Sequence, residues 1–195
     1  AGCYFSLAQV LNRAELGGVI DIELMLSRDG FRWERPFRDT FFIDRKDAKS
    51  FETGSMFTNS TPVILEDEIR FYYGAYSFGA TSWSDDEQIS GVGMASIPRD
   101  RFAGIRSVEI SDQASLSKPL HNTGQVTLKP IDISGISDIT LNADASDGEI
   151  RVELLDAEGY RIEGFTDADA VPIVGDSLRH GVSWSGRGLD DLRTK

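Results

Sequence analysis

The sequence is poor in the residues that form cross-links and metal sites. Of its 195 residues only one is a cysteine, Cys3, and two are histidines, His121 and His180. A single cysteine excludes an intrachain disulfide and argues against a zinc site built from cysteines. The histidines lie far apart on strand-like segments, and no nucleophile elbow or metal-spaced cluster accompanies them. We interpret both as surface or hydrogen-bonded structural residues, and we expect no metal and no cofactor.

Long apolar runs and positive charge are also scarce. No run approaches the roughly 20 apolar residues that span a bilayer. Lys and Arg number 20 against 32 Asp and Glu, which gives a net charge of -12. Because a phosphate backbone binds to a basic face, we expect no nucleic-acid partner, and we expect no membrane partner either. The chain shows no signal stretch, which is not evidence for a cytoplasmic protein, and we favour a secreted or periplasmic one.

The sequence does contain short β-rich runs, separated by clusters of Gly, Asp, Asn, Ser and Pro. The predicted strands of the first part are 4–10, 19–27, 54–58, 62–65, 69–76, 89–97 and 105–110. Those of the second part are 125–133, 139–143, 149–155, 161–165, 171–174 and 178–184. A small, polar stretch at 112–123 separates the two parts. We expect an all-β chain with a partial β-propeller of one to two blades at 1–112 and a β-sandwich, truncated at its end, at 113–195.

Two local patterns support the strand prediction. Residues 19–27 alternate, so that Ile20, Ile22, Leu24 and Leu26 share one face, and this predicts a strand with one buried face. Asp29-Gly30 follows between two extended segments and predicts a hairpin turn, because glycine accepts a positive φ. We interpret Asp29 as a turn residue and Trp33 as the anchor of that hairpin.

The chain resembles a known family over about residues 19–192. The matching sequence segments include Ser27-Arg28-Asp29-Gly30-Phe31-Arg32-Trp33, Val126-Thr127-Leu128-Lys129-Pro130, Gly148-Glu149-Ile150-Arg151-Val152 and Val182-Ser183-Trp184. These segments are similar to bacterial glycosyl hydrolases of the five-bladed β-propeller type, related to invertases and arabinanases, with an appended β-sandwich. The resemblance implies that the chain is the C-terminal part of such an enzyme and lacks the earlier blades that carry most of its central pocket.

The candidate site residues follow from the chemistry of sugars. Glycoside hydrolysis needs two carboxyl groups across the scissile bond. Glu52 precedes a predicted inner strand and is the candidate catalytic acid, with a solvated loop glutamate as the alternative. Sugar rings stack on aromatic faces, so Tyr76 and Trp83 are candidate substrate-binding residues, with packing as an equal alternative.

Two functions remain open at this point. In the first, the chain is part of a glycoside hydrolase that acts on an oligosaccharide or polysaccharide, and the sandwich is a structural or glycan-binding module. In the second, the chain is a non-catalytic carbohydrate-binding or structural β-protein. We expect the chain by itself to be inactive, its partner to be carbohydrate, and its exposed strand edges to allow self-association.

Overall fold

The computed structural model describes residues 2–12, 17–38, 40–46, 50–82, 87–106 and 124–192. The contacts divide the chain into two compact units, Ala1–Asp100 and Arg101–Lys195. All regular structure in the described residues is β, apart from a short 3-10 helix. The predicted all-β class is therefore confirmed, as a mixed sheet and a small second sheet. The predicted boundary segment, 112–123, and His121 lie outside the described residues.

The first unit contains a six-stranded mixed sheet. Its strands are β1 (Tyr4–Asn12), β2 (Val19–Ser27), β3 (Ser55–Thr58), β4 (Val63–Ile64), β5 (Glu68–Tyr76) and β6 (Ser90–Pro98). Strands β3 and β4 pair with one edge of β5, and β6 pairs with the other. All these pairs are antiparallel, whereas β2 meets β3 in parallel at Ile20 and Ser55. Of the strand predicted at 105–110, residues 105–106 are not in a strand, and residues 107–110 lie outside the described residues.

The prediction that β2 has only one buried face was wrong. Ile22 and Leu24 are buried on one face, but Asp21 and Glu23 on the other face are only 4% and 3% exposed. Burial of a charge is costly unless a partner compensates it. Here the Arg45 side chain bonds Asp21, and Arg35 donates to both carboxylate oxygens of Glu23 at 2.7 Å. Two arginines from the following segment therefore make the polar face of β2 part of the interior.

Strand β5 alternates between a buried and an open face. Ile69, Phe71, Tyr73 and Ala75 are buried, and their side is called the inner face below. Tyr72, Gly74 and Tyr76 lie on the opposite side, the outer face. On the inner face, Gly93 of β6 pairs with Tyr73. A Cβ at Gly93 would lie 2.4 Å from the Tyr73 ring, so the small residues of β6 make room for this aromatic side chain.

The hairpin after β2 forms where the sequence predicts it. One Asp29 carboxylate oxygen accepts the backbone N–H groups of Phe31 and Arg32, and Gly30 adopts a φ of 76°. These two hydrogen bonds lower the pKa of Asp29 below its ordinary value. The Trp33 indole N–H donates to the Gly30 carbonyl at 3.1 Å. Asp29 therefore stabilises the turn through its ionised form. The exposed Cys3 thiol lies 3.4 Å from the carbonyl of Ser27, the last residue of β2.

The second unit is less regular than predicted. Its strands are β7 (Thr140–Ile150) and β8 (Ile173–Gly181), followed by the 3-10 helix Leu189–Leu192. Residues 125–133, predicted as a strand, have no regular structure. Residues 146–148 and 175–176, which separate predicted strands, lie inside β7 and β8. A register shift between Ala145 and Ile150 absorbs the extra residues of β7. A second, layered sheet that would make a sandwich is not seen among the described residues of this unit.

The core of the second unit consists of Phe165, Ala170, Trp184 and Leu189. The rings of Phe165 and Trp184 meet edge to face, with centroids 5.1 Å apart. The Trp184 indole N–H donates to the Val152 carbonyl at 2.9 Å, so its polar atom is satisfied within the core. Trp184 is therefore a fully packed core residue of this unit, 4% exposed. The His180 ring lies 3.1 Å from the Ala143 carbonyl, as a hydrogen-bonded structural histidine would.

Candidate ligand-binding cleft

A cleft of about 620 Å³ opens on the outer face of the first unit. Strands β3 and β5 form its floor, and the segment after β5 forms its wall. The lining residues are Ser55, Phe57, Gly74, Tyr76, Phe78, Gly79, Ala80, Ser82 and Gln88. The volume lies in the ordinary range for small-ligand sites.

Strand pairing places the floor residues side by side. Ser55 pairs with Tyr76, and Phe57 pairs with Gly74, so all four point to the outer face. A Cβ built at Gly74 meets no atom within 4 Å, which leaves space above the strand. The rings of Phe57 and Tyr76 meet edge to face with centroids 6.0 Å apart, and Tyr76 remains 39% exposed. The floor is therefore an aromatic surface with an open position beside it.

Backbone contacts hold the wall of the cleft in place. Gly54 lies directly against Phe78, and a Cβ there would be 2.2 Å from the Phe78 backbone. The N–H groups of Ala80 and Thr81 donate to the carbonyls of Gly18 and Gly17, at 2.7 and 2.8 Å. The close contact with Phe78 requires glycine at position 54. The two hydrogen bonds fix the wall against the residues that precede β2. The described part of the wall is thus held in place by contacts within the chain itself.

One polar atom in the cleft has no partner. Ser55 is only 2% exposed, and its hydroxyl makes no hydrogen bond to any described residue. A buried donor or acceptor left unsatisfied costs about 1–3 kcal/mol of stability. The Gln88 side chain adds an exposed amide to the same cleft. An aromatic floor with a few polar groups is the usual composition of a small-ligand site.

Glu52, the predicted catalytic acid, is half-buried on the loop before β3. The Tyr73 hydroxyl donates to its carboxylate, and the Ser50 hydroxyl lies 3.4 Å from the other carboxylate oxygen. Burial, reinforced by the bond to Glu52, raises the pKa of Tyr73 to about 12. Tyr73 therefore remains a neutral hydrogen-bond donor to Glu52 at neutral pH.

Of the predicted site residues, Glu52 and Tyr76 lie at different faces of β5. Glu52 contacts Tyr73 of the inner face, whereas Tyr76 lies on the outer face of the same strand, in the cleft. Trp83 lies outside the described residues. Ser55 and Phe57 were not predicted as site residues, because they join Tyr76 only through the pairing of β3 with β5. Because Ser55 and Phe57 flank Met56 in a strand, the sequence alone could have predicted that they share one face. It could not have predicted that this face lies beside Tyr76.

Comparisons with known proteins identify no relative of this chain. No protein-family model, no curated protein and no solved structure matches it. Within the described residues, no three His, Cys, Asp or Glu side chains are grouped as a metal site would require. The same residues include no helix that is both long and apolar enough to cross a membrane.

Proposed function

We propose that this chain binds carbohydrate through the cleft on the outer face. The observation that carries the proposal is the exposed Tyr76 ring beside open space and polar groups. Sugars present apolar C–H faces that stack on such rings, while hydroxyl and amide groups bond their edges. The sequence resemblance to propeller-type glycosyl hydrolases supports the same substrate class.

The larger protein in this proposal is a glycoside hydrolase with a β-propeller and a sandwich module. Strand β5 pairs antiparallel with β3 and β4 on one edge and with β6 on the other. A propeller blade is likewise a small sheet of antiparallel strands. In this proposal the second unit, built around the core that contains Trp184, is the structural or glycan-binding module. Glu52 would supply one carboxyl group to a pocket completed by further blades. In that complete protein, Glu52→Gln should abolish release of reducing sugar, and unchanged release would contradict the catalytic role.

The binding proposal is tested with matched tyrosine variants. Tyr72 and Tyr76 lie on the same face of β5 and are 36% and 39% exposed, but only Tyr76 lines the cleft. In calorimetric titrations with neutral plant oligosaccharides, Tyr76→Ala should weaken binding about tenfold, as expected for loss of one stacked ring. Tyr72→Ala should bind as the wild type does. Equal effects of the two substitutions on affinity would show that the sugar does not bind in the cleft.

Self-association is part of the proposal as well. Strand β6 pairs with β5 along one edge, and no described residue pairs with its other edge. An unpaired strand edge offers N–H and C=O groups to a second strand. We expect sedimentation velocity to show a dimer at high protein concentration, and replacement of Val92 at the edge by proline to reduce it. A monomer at every concentration would contradict this expectation.

A further inference from the structure

Two serines of the first unit are equally buried but differ in their partners. Ser27 and Ser55 are each 2% exposed. The Ser27 hydroxyl donates to Asp29 and accepts the backbone N–H of Gly30 at 2.9 Å. The Ser55 hydroxyl has no partner among the described residues. Since buried polar groups are nearly always satisfied, the exception at Ser55 calls for an explanation.

The position of Ser55 supplies that explanation. Its side chain lines the cleft, next to Tyr76 across the β3–β5 pair and one alternation from Phe57. A serine hydroxyl both donates and accepts hydrogen bonds, as sugar hydroxyls do. A sugar stacked on the Tyr76 ring would lie over the floor beside Ser55, and its edge hydroxyls would meet the Ser55 hydroxyl after a local shift of the floor, because that atom is buried in the free chain.

The charge of the cleft restricts the kind of sugar. None of the described residues that line it carries a charged side chain. The chain as a whole carries a net charge of -12, which repels an anionic ligand at long range. An anionic sugar would therefore find no cation in this cleft and an unfavourable field around it.

We infer that Ser55 is a ligand-binding residue of this site, and that the ligand is a neutral oligosaccharide. Its hydroxyl exchanges a hydrogen bond with a hydroxyl of the sugar residue that stacks on Tyr76. This inference rests on the proposed function. Ligand binding then satisfies a group that the described residues of the free chain leave unsatisfied, so the bond forms without loss of a hydrogen bond to any of them.

The test compares Ser55→Ala with Ser27→Ala. Binding of arabinohexaose, kestopentaose, cellohexaose and an anionic oligogalacturonate is measured by titration calorimetry, and thermal unfolding is measured without ligand. Ser55→Ala should weaken binding of a neutral probe about tenfold, equivalent to about 1.4 kcal/mol. Its unfolding midpoint should stay unchanged or rise, because an unsatisfied group is removed. Ser27→Ala should lower the midpoint and leave the affinity unchanged.

Three results would overturn the inference. If Ser55→Ala binds like the wild type while Tyr76→Ala does not, Ser55 has no role and the binding proposal survives. If Ser55→Ala lowers the unfolding midpoint as Ser27→Ala does, its hydroxyl has a protein partner. If oligogalacturonate binds more tightly than the neutral probes, the ligand class is wrong. If the wild type binds none of the probes, the proposed carbohydrate-binding function is itself contradicted.

Discussion

The buried Glu23–Arg35 pair gives the most quantitative test of the structure. Glu23 is 3% exposed, and the side chain of Arg35 is 28% exposed and donates twice to it at 2.7 Å. Replacing Arg35 by methionine leaves a carboxylate buried without its cation. Loss of one partner of a buried pair costs about 3–5 kcal/mol. Because water reaches part of Arg35, we expect the lower value, about 3 kcal/mol.

The double variant separates the cost of the unpaired charge from the cost of lost packing. Glu23→Leu combined with Arg35→Met removes both charges and keeps most of the volume. Such replacements are often neutral, so we expect the double variant to lie within about 1 kcal/mol of the wild type. The second substitution should therefore restore about 2 kcal/mol, a coupling that additive effects would not produce.

Thermal unfolding followed by far-ultraviolet circular dichroism measures these differences. For a unit of this size, 3 kcal/mol corresponds to a decrease of about 12 °C or more in the unfolding midpoint. The control is Arg70→Met, which removes the partner of Glu68 in an ion pair whose side chains are 40% and 34% exposed. We expect a loss below about 1 kcal/mol there. A double variant as unstable as Arg35→Met, or equal effects of Arg35→Met and Arg70→Met, would refute the reasoning.

The remaining predictions concern Tyr73. Because its pKa of about 12 in the folded chain exceeds the ordinary value of about 10, its contribution to stability is complete below pH 10 and is lost as the pH rises towards 12. A tyrosinate absorbance titration should show a late-titrating component that Tyr73→Phe removes, and a titration curve that this substitution leaves unchanged above about pH 11 would contradict the prediction. Gly93→Ala, whose Cβ would lie 2.4 Å from the Tyr73 ring, should cost about 2 kcal/mol in urea unfolding. Gly74→Ala meets open space and should cost less than about 0.5 kcal/mol, so similar losses for both glycines would show that the Tyr73 contact is absent.

Local patterns were sufficient to predict the strands of the first unit. The bounds of β2 match the prediction, because its alternation and the Asp29-Gly30 turn are both local signals. The burial of Asp21 and Glu23 could not be predicted in the same way. That burial depends on Arg45 and Arg35, which lie 24 and 12 residues from their partners. The local sequence of β2 gives no sign that these two arginines will pair with it.

The second unit and the cleft show where local signals fail. Ser146-Asp147-Gly148 is a strong turn signal, yet the pairing of β7 with β8 accommodates it as an irregularity inside a strand. Tyr76 was chosen for its ring, but the residues beside it come from another strand. Ser55 gained its significance only from what surrounds it, because the absence of a hydrogen-bond partner is a property of the folded chain.

The exposed thiol of Cys3 affects how association of this protein is measured. It is the only cysteine of the chain, and it lies beside the Ser27 end of β2. In oxidising buffer, two copies would join covalently through this one position, and the product would sediment as a dimer that owes nothing to strand edges. The same property makes Cys3 a unique position for a fluorescent maleimide. A reductant, or a Cys3→Ser variant, therefore decides whether an observed dimer is redox chemistry or β-sheet pairing.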